Sequence, residues 1–338
     1  MREKQLTLYK YFAEAMRHKP IFIVLLSVCV LTGCRRDAYA TFSGYAQGGV
    51  YTVKANLAGV ATSSGEIRRT IDAILDSIDF SLSGYNRNSL LTKYNAGEEI
   101  VPDRFFREVR SLSERYREQT GGAFDPAAGP LFDIWGFGFT ADSLPDPDRV
   151  RAALAACKAE KVLNFNAIAQ GYSCDVVADY LHSIGVHDML VDIGEIYCEG
   201  LNRAGKGWTI GVDNPVDGND TPGRDLRGIW QSAGKACGIV TSGNYRKFYI
   251  KDGRKFAHTI DPRTGYPVEH GLLSATVVAP TAAEADALAT ACMVIGPEAA
   301  RSLIEARPEL EGYLISDGDV WMSDGFAAQM QESGFPQK

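Results

Sequence analysis

The chain has 338 residues, 45% of them hydrophobic and 23% charged, and this ordinary globular balance excludes a disordered or collagen-like protein. Its length is sufficient for a large core, in one large domain or two smaller ones. The 35 Lys and Arg against 42 Asp and Glu give a net charge of −7. That balance argues against nucleic acid as the main partner, because a phosphate backbone attracts basic surfaces.

The first 33 residues have the pattern of a bacterial lipoprotein signal peptide. Basic residues precede the apolar run IFIVLLSVCVL at 21–31, which is too short for an ordinary membrane-spanning helix. The following Leu31-Thr32-Gly33-Cys34 resembles a lipobox, in which Cys34 becomes the lipidated first residue of the mature chain. We therefore predict an exported protein that a lipid anchors to a bacterial cell membrane. A plain signal peptide or a short anchor helix is the alternative.

Hydrophobic periodicity predicts the elements of the mature chain, residues 34–338. In the first half of this region the patterns predict a strand at 50–55, helices at 64–82 and 102–119, a loop rich in Pro, Gly and aromatic residues at 124–147, and helices at 147–160 and 168–184. In the second half they predict strands at 190–193, 208–212, 239–241, 248–250 and 275–279, helices at 282–295 and 297–306, and a strand at 312–315. Because strands and helices do not alternate strictly, we predict an α+β fold.

Several common site patterns are absent from the sequence. No GxGxxG opens a helix after a strand, so a Rossmann dinucleotide site is not supported, and the P-loop pattern is also missing. Five cysteines remain beyond Cys34, with no CxxC among them, so neither a zinc site built on cysteines nor a disulfide framework is predicted. We expect most of these cysteines to be buried small residues.

Two stretches in the first half of the chain could contact a ligand. Paired glycines precede Ala123-Phe124-Asp125-Pro126 and would let backbone amides approach a ligand, although a helix stop with an Asp-Pro turn explains the same residues. The stretch from Asn164 to Tyr172 leads into a predicted helix, whose first N–H groups suit a phosphate. An Asn-capped helix without a ligand is an equally good interpretation.

Two later stretches add chemically active side chains. The segments 241–246 and 258–267 place hydroxyls, an Asp and His258 in short turns, where His258 could take a proton from an attacking hydroxyl or simply bond a loop. In the segment ADALATA, Asp286 and Thr290 are four residues apart and therefore share a helix face. They could hold Mg²⁺ with room for substrate phosphates. The alternative is an Ala-rich packing helix with Thr290 bonded to its own backbone.

Together and in this order, the stretches resemble the ApbE family, the FAD:protein FMN transferases. The most specific motifs are GAFDP, TSGNYR, HTIDPRTGYP and ADALATA, and the match runs from about residue 44 to residue 296. The resemblance implies a two-domain, T-fold-like α+β architecture of two intertwined subdomains, with FAD in the cleft and Mg²⁺ at its pyrophosphate. It also implies transfer of FMN from FAD to a Ser or Thr hydroxyl of an exported or membrane redox protein, with release of AMP.

The resemblance further assigns roles to single residues. His258 would be the catalytic base or would orient the acceptor. The Mg²⁺ ligands would be Asp286, Thr290 and the backbone oxygens of Ala167 and Ala289. The residues expected at the dinucleotide are Gln47, Tyr85, Ala123, Phe124, Asp125, Asn164, Gln170 and Ile260.

Departures from the family pattern in three segments concern the dinucleotide more than the metal, because ADALATA is intact. Gly49 replaces a Thr, Asn164 replaces an Asp and Gln170 replaces a Lys, while Gly194-Glu195 shortens a paired Gly-Gly before an acid. Two other functions are therefore kept as hypotheses. One is an FAD pyrophosphatase that yields FMN and AMP, and the other is a non-catalytic FAD-binding lipoprotein.

Overall fold

The computed structural model describes residues 38–138, 144–219, 221–245, 248–251 and 254–332. Cys34 and the predicted signal peptide lie outside these residues, as does Arg246 of TSGNYR. The described residues from Ala40 onward form one compact unit, and their division into two subdomains stays a prediction. None of the helices in this part of the chain is both long and apolar enough to cross a membrane.

The described strands form three sheets. They are β1 (Tyr39–Ala46), β2 (Gly49–Asn56), β3 (Met189–Asp192), β4 (Ile196–Glu199), β5 (Thr209–Asp213), β6 (Leu226–Gln231), β7 (Cys237–Gly243), β8 (Phe248–Lys251), β9 (Arg254–Ala257), β10 (Leu272–Ala279), β11 (Glu311–Ser316), β12 (Asp319–Met322) and β13 (Met330–Glu332). The largest sheet has the order β1-β2-β3-β4-β7-β10-β11-β12, and its neighbours from β2 to β12 pair antiparallel. The smaller sheets are β13-β6-β5 and β8-β9.

The helices described are α1 (Ser64–Leu82), α2 (Leu90–Asn95), α3 (Arg104–Gln119), α4 (Gly129–Ile134), α5 (Pro147–Lys158), α6 (Ala169–Ser183), α7 (Ala282–Ile295), α8 (Pro297–Glu305) and α9 (Asp324–Gln329). Every predicted strand and helix is present, with bounds within three residues of the prediction. The predicted loop at 124–147 was wrong in one part, because it contains α4. That helix has six residues, too few for a helical period to be visible in the sequence.

Helices α6 and α7 pack against each other and against the large sheet. Helix α6 lies on β3 and β4, and α7 lies on β7 and β10. The first residue of α7, Ala282, approaches two glycines: a Cβ added to Gly171 would lie 2.3 Å from the Ala282 carbonyl oxygen, and one added to Gly238 would lie 2.3 Å from its Cα. The absence of side chains at these positions therefore lets the start of α7 enter between α6 and β7.

The core is apolar and includes the remaining cysteines. Buried Val240, Val277, Leu288 and Leu314 join α7 to the sheet. As predicted, the five cysteines are free and buried: Cys157, Cys174, Cys198, Cys237 and Cys292.

Candidate functional site

Two aspartates connect α6 and α7, because each accepts N–H groups from the first turn of the other helix. The Gly171 N–H at the start of α6 donates to Asp286 Oδ2 on α7, at 3.1 Å. In return, Asp175 on α6 accepts the Ala282 N–H at 2.7 Å and the Ala283 N–H at 2.9 Å. The position of Asp286 is therefore fixed by hydrogen bonds that run in both directions between the helices.

The bond to Asp286 satisfies an N–H group at the start of α6. Gly171 lies in the first turn of this helix, where an N–H has no acceptor within the helix, and Asp286 accepts that N–H. Ala167 lies just before α6, four residues ahead of Gly171. One turn beyond Asp286 on α7, Ala289 is buried and Thr290 is partly exposed. The four predicted metal ligands therefore belong to two short segments, and Gly171 and Asp286 join these directly.

The electrostatics of Asp286 favour a bound cation. Burial raises the pKa of the Asp286 carboxyl, and the nearby Asp175 raises it further, while the Gly171 N–H lowers it. Burial likewise raises the pKa of Asp175 to about 7. A divalent cation would offset both effects, since it stabilises the ionised carboxylate. Carboxylate, hydroxyl and carbonyl oxygens are the hard donors that Mg²⁺ takes, so the residues fit this ion.

Two predicted dinucleotide residues, Tyr85 and Gln47, contact the segment 164–173, and a third, Gln170, lies within it. The Asn166 side chain donates to the Tyr85 hydroxyl at 3.4 Å, and the Tyr85 side chain is largely exposed. Gln47 reaches the same segment from the turn between β1 and β2, where its Nε2 donates to Ser173 Oγ at 2.5 Å. A Cβ added to Gly194 would lie 2.7 Å from Gln170 Nε2, so Gln170 packs against this glycine.

A second group of predicted residues adjoins Asn164. The Asn164 N–H donates to the Pro126 carbonyl at 2.7 Å, and the Asn164 side chain accepts the Asn166 N–H at 2.9 Å. Asp125 accepts the Ala127 N–H at 2.8 Å. Burial raises the pKa of the Asp125 carboxyl, although that hydrogen bond and Arg117 oppose the rise. The GAFDP segment is thus held directly beside the start of α6.

Some predicted residues can reach a ligand only through their backbone. The side chains of Ala123, Phe124 and Ile260 are buried, and the Phe124 ring packs edge-on against Tyr116 with ring centroids 6.5 Å apart. A dinucleotide beside these residues would therefore meet amide and carbonyl groups, which is consistent with paired glycines ahead of Ala123.

His258 belongs to an aromatic group. Its ring packs edge-on against Phe137 with centroids 6.3 Å apart, and Phe137 stacks on Tyr249 at 5.2 Å. Further stacking joins Tyr249 to Phe256 at 5.3 Å, and Phe256 to Trp135 at 6.2 Å. The role of His258 as a base stays a prediction.

Sequence reasoning missed Asp175 and the aromatic group. Asp175 lies between Cys174 and Val176, which are both buried, and an acid inside an apolar helical stretch could have been noticed because a buried charge needs a partner. The aromatic group joins the predicted loop to strands β8 and β9, a pairing that no local pattern encodes.

The fold and site define an α+β protein in which two helices on an antiparallel sheet present a candidate divalent-metal site. The sequence profile of the ApbE family matches residues 48–314. The chain is 31% identical to the FAD:protein FMN transferase of Escherichia coli K12, over 81% of this chain and 84% of that protein. It is 32% identical to the FAD:protein FMN transferase of Vibrio cholerae, over 84% of this chain and 90% of that protein.

Solved structures of flavin transferases are also similar to this chain. The flavin transferase ApbE from Vibrio cholerae superposes with a TM-score of 0.74 at 30% identity, covering 86% of this chain and 99% of that one. The apo form of the flavinyl transferase ApbE from Pseudomonas stutzeri has a TM-score of 0.75 at 30% identity, covering 86% and 96%. The chain belongs to the ApbE family and has its α+β fold.

Proposed function

We propose that this chain is an FAD:protein FMN transferase, which moves FMN from FAD to a Ser or Thr hydroxyl of an acceptor protein. The observation that carries the proposal is the buried Asp286 carboxylate, which accepts the Gly171 N–H in the first turn of α6, four residues after Ala167. The names and folds of the relatives support the same reaction.

The reaction exchanges the phosphoanhydride bond of FAD for a phosphoester bond to the acceptor. The acceptor hydroxyl oxygen attacks the phosphorus on the FMN side of the FAD pyrophosphate. The bond from that phosphorus to the bridging oxygen breaks, and AMP leaves with this oxygen, while the hydroxyl proton passes to a base. Such a transfer depends mainly on positioning and on neutralising charge. Mg²⁺ held by Asp286, Thr290 and the carbonyls of Ala167 and Ala289 would supply that neutralisation.

The chain's own residues supply binding and proton transfer. The first turn of α6 is capped by Asp286 from α7 and not by its own N-cap residue, Ile168, and the positive end of the helix dipole would stabilise a pyrophosphate bound there. The exposed Tyr85 ring offers the flavin an aromatic surface with a polar tip. Gln47, Gln170, Asn164 and the backbone of the GAFDP segment complete the dinucleotide site. His258 accepts the hydroxyl proton or orients the acceptor.

The acceptor is an exported or membrane redox protein, and the enzyme reaches it while anchored to a bacterial cell membrane, on the periplasmic side or at the cell surface. The lipobox around Cys34 supports this location. A lipid anchor would keep the enzyme close to membrane-bound acceptors.

Mass spectrometry of a candidate acceptor tests the proposal. Incubation with FAD, Mg²⁺ and the parent enzyme should increase the acceptor mass by one FMN. Asp286→Asn should slow the transfer at least about 100-fold, since it removes the buried anion that holds the cation. Asp179→Asn removes an exposed carboxylate on α6 and should transfer at the parental rate.

Other products would overturn the proposal. Release of free FMN and AMP without a modified protein, across a wide panel of acceptors, would identify an FAD pyrophosphatase. FAD that co-purifies with the protein and stays intact after Mg²⁺ is added would identify a flavin-binding lipoprotein. Full activity of Asp286→Asn would show that the metal assignment is wrong.

A further inference from the structure

A second group of ligating side chains lies at the other end of α6. His182 is in the last turn of α6, His187 lies in the connection to β3, and Glu199 ends β4. His182 Nε2 is 2.5 Å from Glu199 Oε2, and His187 Nδ1 is 3.9 Å from Glu199 Oε1. One ligand atom from each residue lies within 4.8 Å of the other two. We propose that these three side chains bind a Zn²⁺ ion.

The distances suit a tetrahedral ion after a small adjustment. Zn²⁺ bonds nitrogen and oxygen at about 2.0–2.1 Å, which places neighbouring tetrahedral ligands about 3.3 Å apart. The short His182–Glu199 contact must open and the longer His187–Glu199 contact must close, each by less than about 1 Å. The His187 side chain is 71% exposed and can rotate into place. Water would take the fourth position.

The ion would take the place of the hydrogen bond between His182 and Glu199. In its absence the His182 imidazole and the Glu199 carboxylate share a hydrogen bond. Nε2 of His182 would bind Zn²⁺ through its lone pair, so the ring hydrogen would lie on Nδ1 in the metal-bound state. The Glu199 carboxylate would offset one charge of the ion.

The surrounding contacts hold Glu199 in place. The Tyr197 hydroxyl donates to Glu199 Oε2 at 3.2 Å, and Trp208 Nε1 donates to the Glu199 carbonyl at 2.8 Å. Next to His187, Asp188 accepts the Leu201 N–H at 2.8 Å. Hydrogen bonds behind a ligand orient it and strengthen metal binding, so Glu199 is positioned before the ion arrives.

The ligand set separates this site from the one at Asp286. Two imidazoles and one carboxylate suit Zn²⁺ and related transition metals, whereas Mg²⁺ takes oxygen donors. Gly171 and His182 are eleven residues apart on α6, or about 16 Å along its axis. The ion would therefore join the end of α6 to β4 and stabilise the fold there, away from the proposed transfer reaction.

Competition with a chromophoric zinc chelator tests the site in the metal-stripped full chain. The parent should bind Zn²⁺ in the micromolar range or more tightly, and His187→Ala or Glu199→Gln should weaken that binding at least about tenfold. His258→Ala and Asp286→Asn should bind Zn²⁺ as the parent does, because they alter the other candidate site. His187 is exposed, so its loss should leave the circular dichroism spectrum unchanged.

Thermal unfolding gives a second measurement. Zn²⁺ should raise the melting temperature of the parent, because a ligand of the folded state stabilises it, and should raise that of His187→Ala much less. Zn²⁺ affinity of His187→Ala within twofold of the parent would overturn the proposal. Loss of Zn²⁺ binding in Asp286→Asn, with His187→Ala unaffected, would also overturn it.

Discussion

Gly194 lies at one of the positions where this chain departs from the family pattern. Its φ is +89°, and the space that a side chain would occupy is filled by the amide of Gln170. Two departures from the family, the shortened Gly-Gly and the Gln that replaces a Lys, therefore meet in space. We infer that Gly194 positions Gln170 for its proposed contact with the dinucleotide.

Comparing Gly194→Ala with Gly185→Ala separates the effect of backbone strain from the effect of displacing Gln170. Gly185 is a matched control, because its φ is also +89° but an added Cβ would meet no described atom within 4 Å. Both Ala variants should lose about 1–2 kcal/mol of unfolding free energy, since Ala is strained at positive φ. Gly194→Ala alone should raise KM for FAD several-fold. Urea unfolding and FAD titration measure the two effects, and equal KM values would exclude a role for Gln170 placement.

The individual site residues differ in how well the sequence predicts them. Asp286 and Thr290 could be found because their spacing of four places them on one helix face. Asp175 could have been noticed as an acid in an apolar stretch, but its partners Ala282 and Ala283 lie more than a hundred residues away and could not be identified. The hydrogen bond from Gly171 to Asp286 likewise joins two distant helices. Local spacing identifies ligands, whereas long-range hydrogen bonds decide how they are held.

At the scale of elements, the close approach of α6 and α7 depends on a missing side chain. A Cβ on Gly171 would lie 2.3 Å from the Ala282 carbonyl oxygen, which is backbone and cannot move aside alone. The helices would have to separate, and both the Gly171–Asp286 and the Asp175–Ala282 hydrogen bonds would lengthen.

Substitution of Gly171 by Ala should therefore destabilise the protein despite the higher helix propensity of Ala. We expect a loss of about 2–4 kcal/mol of unfolding free energy, as for other overpacked or unpaired buried positions. Gly65→Ala in α1 is the control, because the nearest atom to its added Cβ is 3.7 Å away, and it should be neutral or stabilising by up to about 1 kcal/mol. Chemical denaturation measures both. A stable Gly171→Ala protein would contradict the proposed helix contact.

Long helices were predictable and short helices were not. The bounds of α1 and α7 agree with the prediction residue for residue, because Ser63 and Thr281 cap their first turns and apolar runs fill their buried faces. Helices α2 and α4 have six residues each. A helix of that length contains too few turns for its period to be distinguished from a loop.

At the scale of the whole molecule, strand order lay beyond the sequence. Strand β4 pairs with β7, while β5 and β6 between them join a separate sheet with β13. Such pairings depend on tertiary contacts and are not written in any local pattern. Charge, in contrast, can be read directly: removal of residues 1–33 takes away a net +3 and leaves −10. A pyrophosphate must then be bound by local donors and a cation, since the overall charge repels it.

The predicted lipid anchoring of the chain can be tested through its two N-terminal cysteines, Cys29 and Cys34. If Cys34 carries the lipid, cells grown with labelled palmitate should label the parent protein and fail to label Cys34→Ser. Cys29→Ser is the matched control, because Cys29 lies inside the apolar run five residues earlier, and it should be labelled like the parent. The mature parent should also begin at Cys34 by mass spectrometry. Labelling of Cys34→Ser, or its loss in Cys29→Ser, would contradict the lipobox assignment and with it the lipid-anchored location proposed for the transferase.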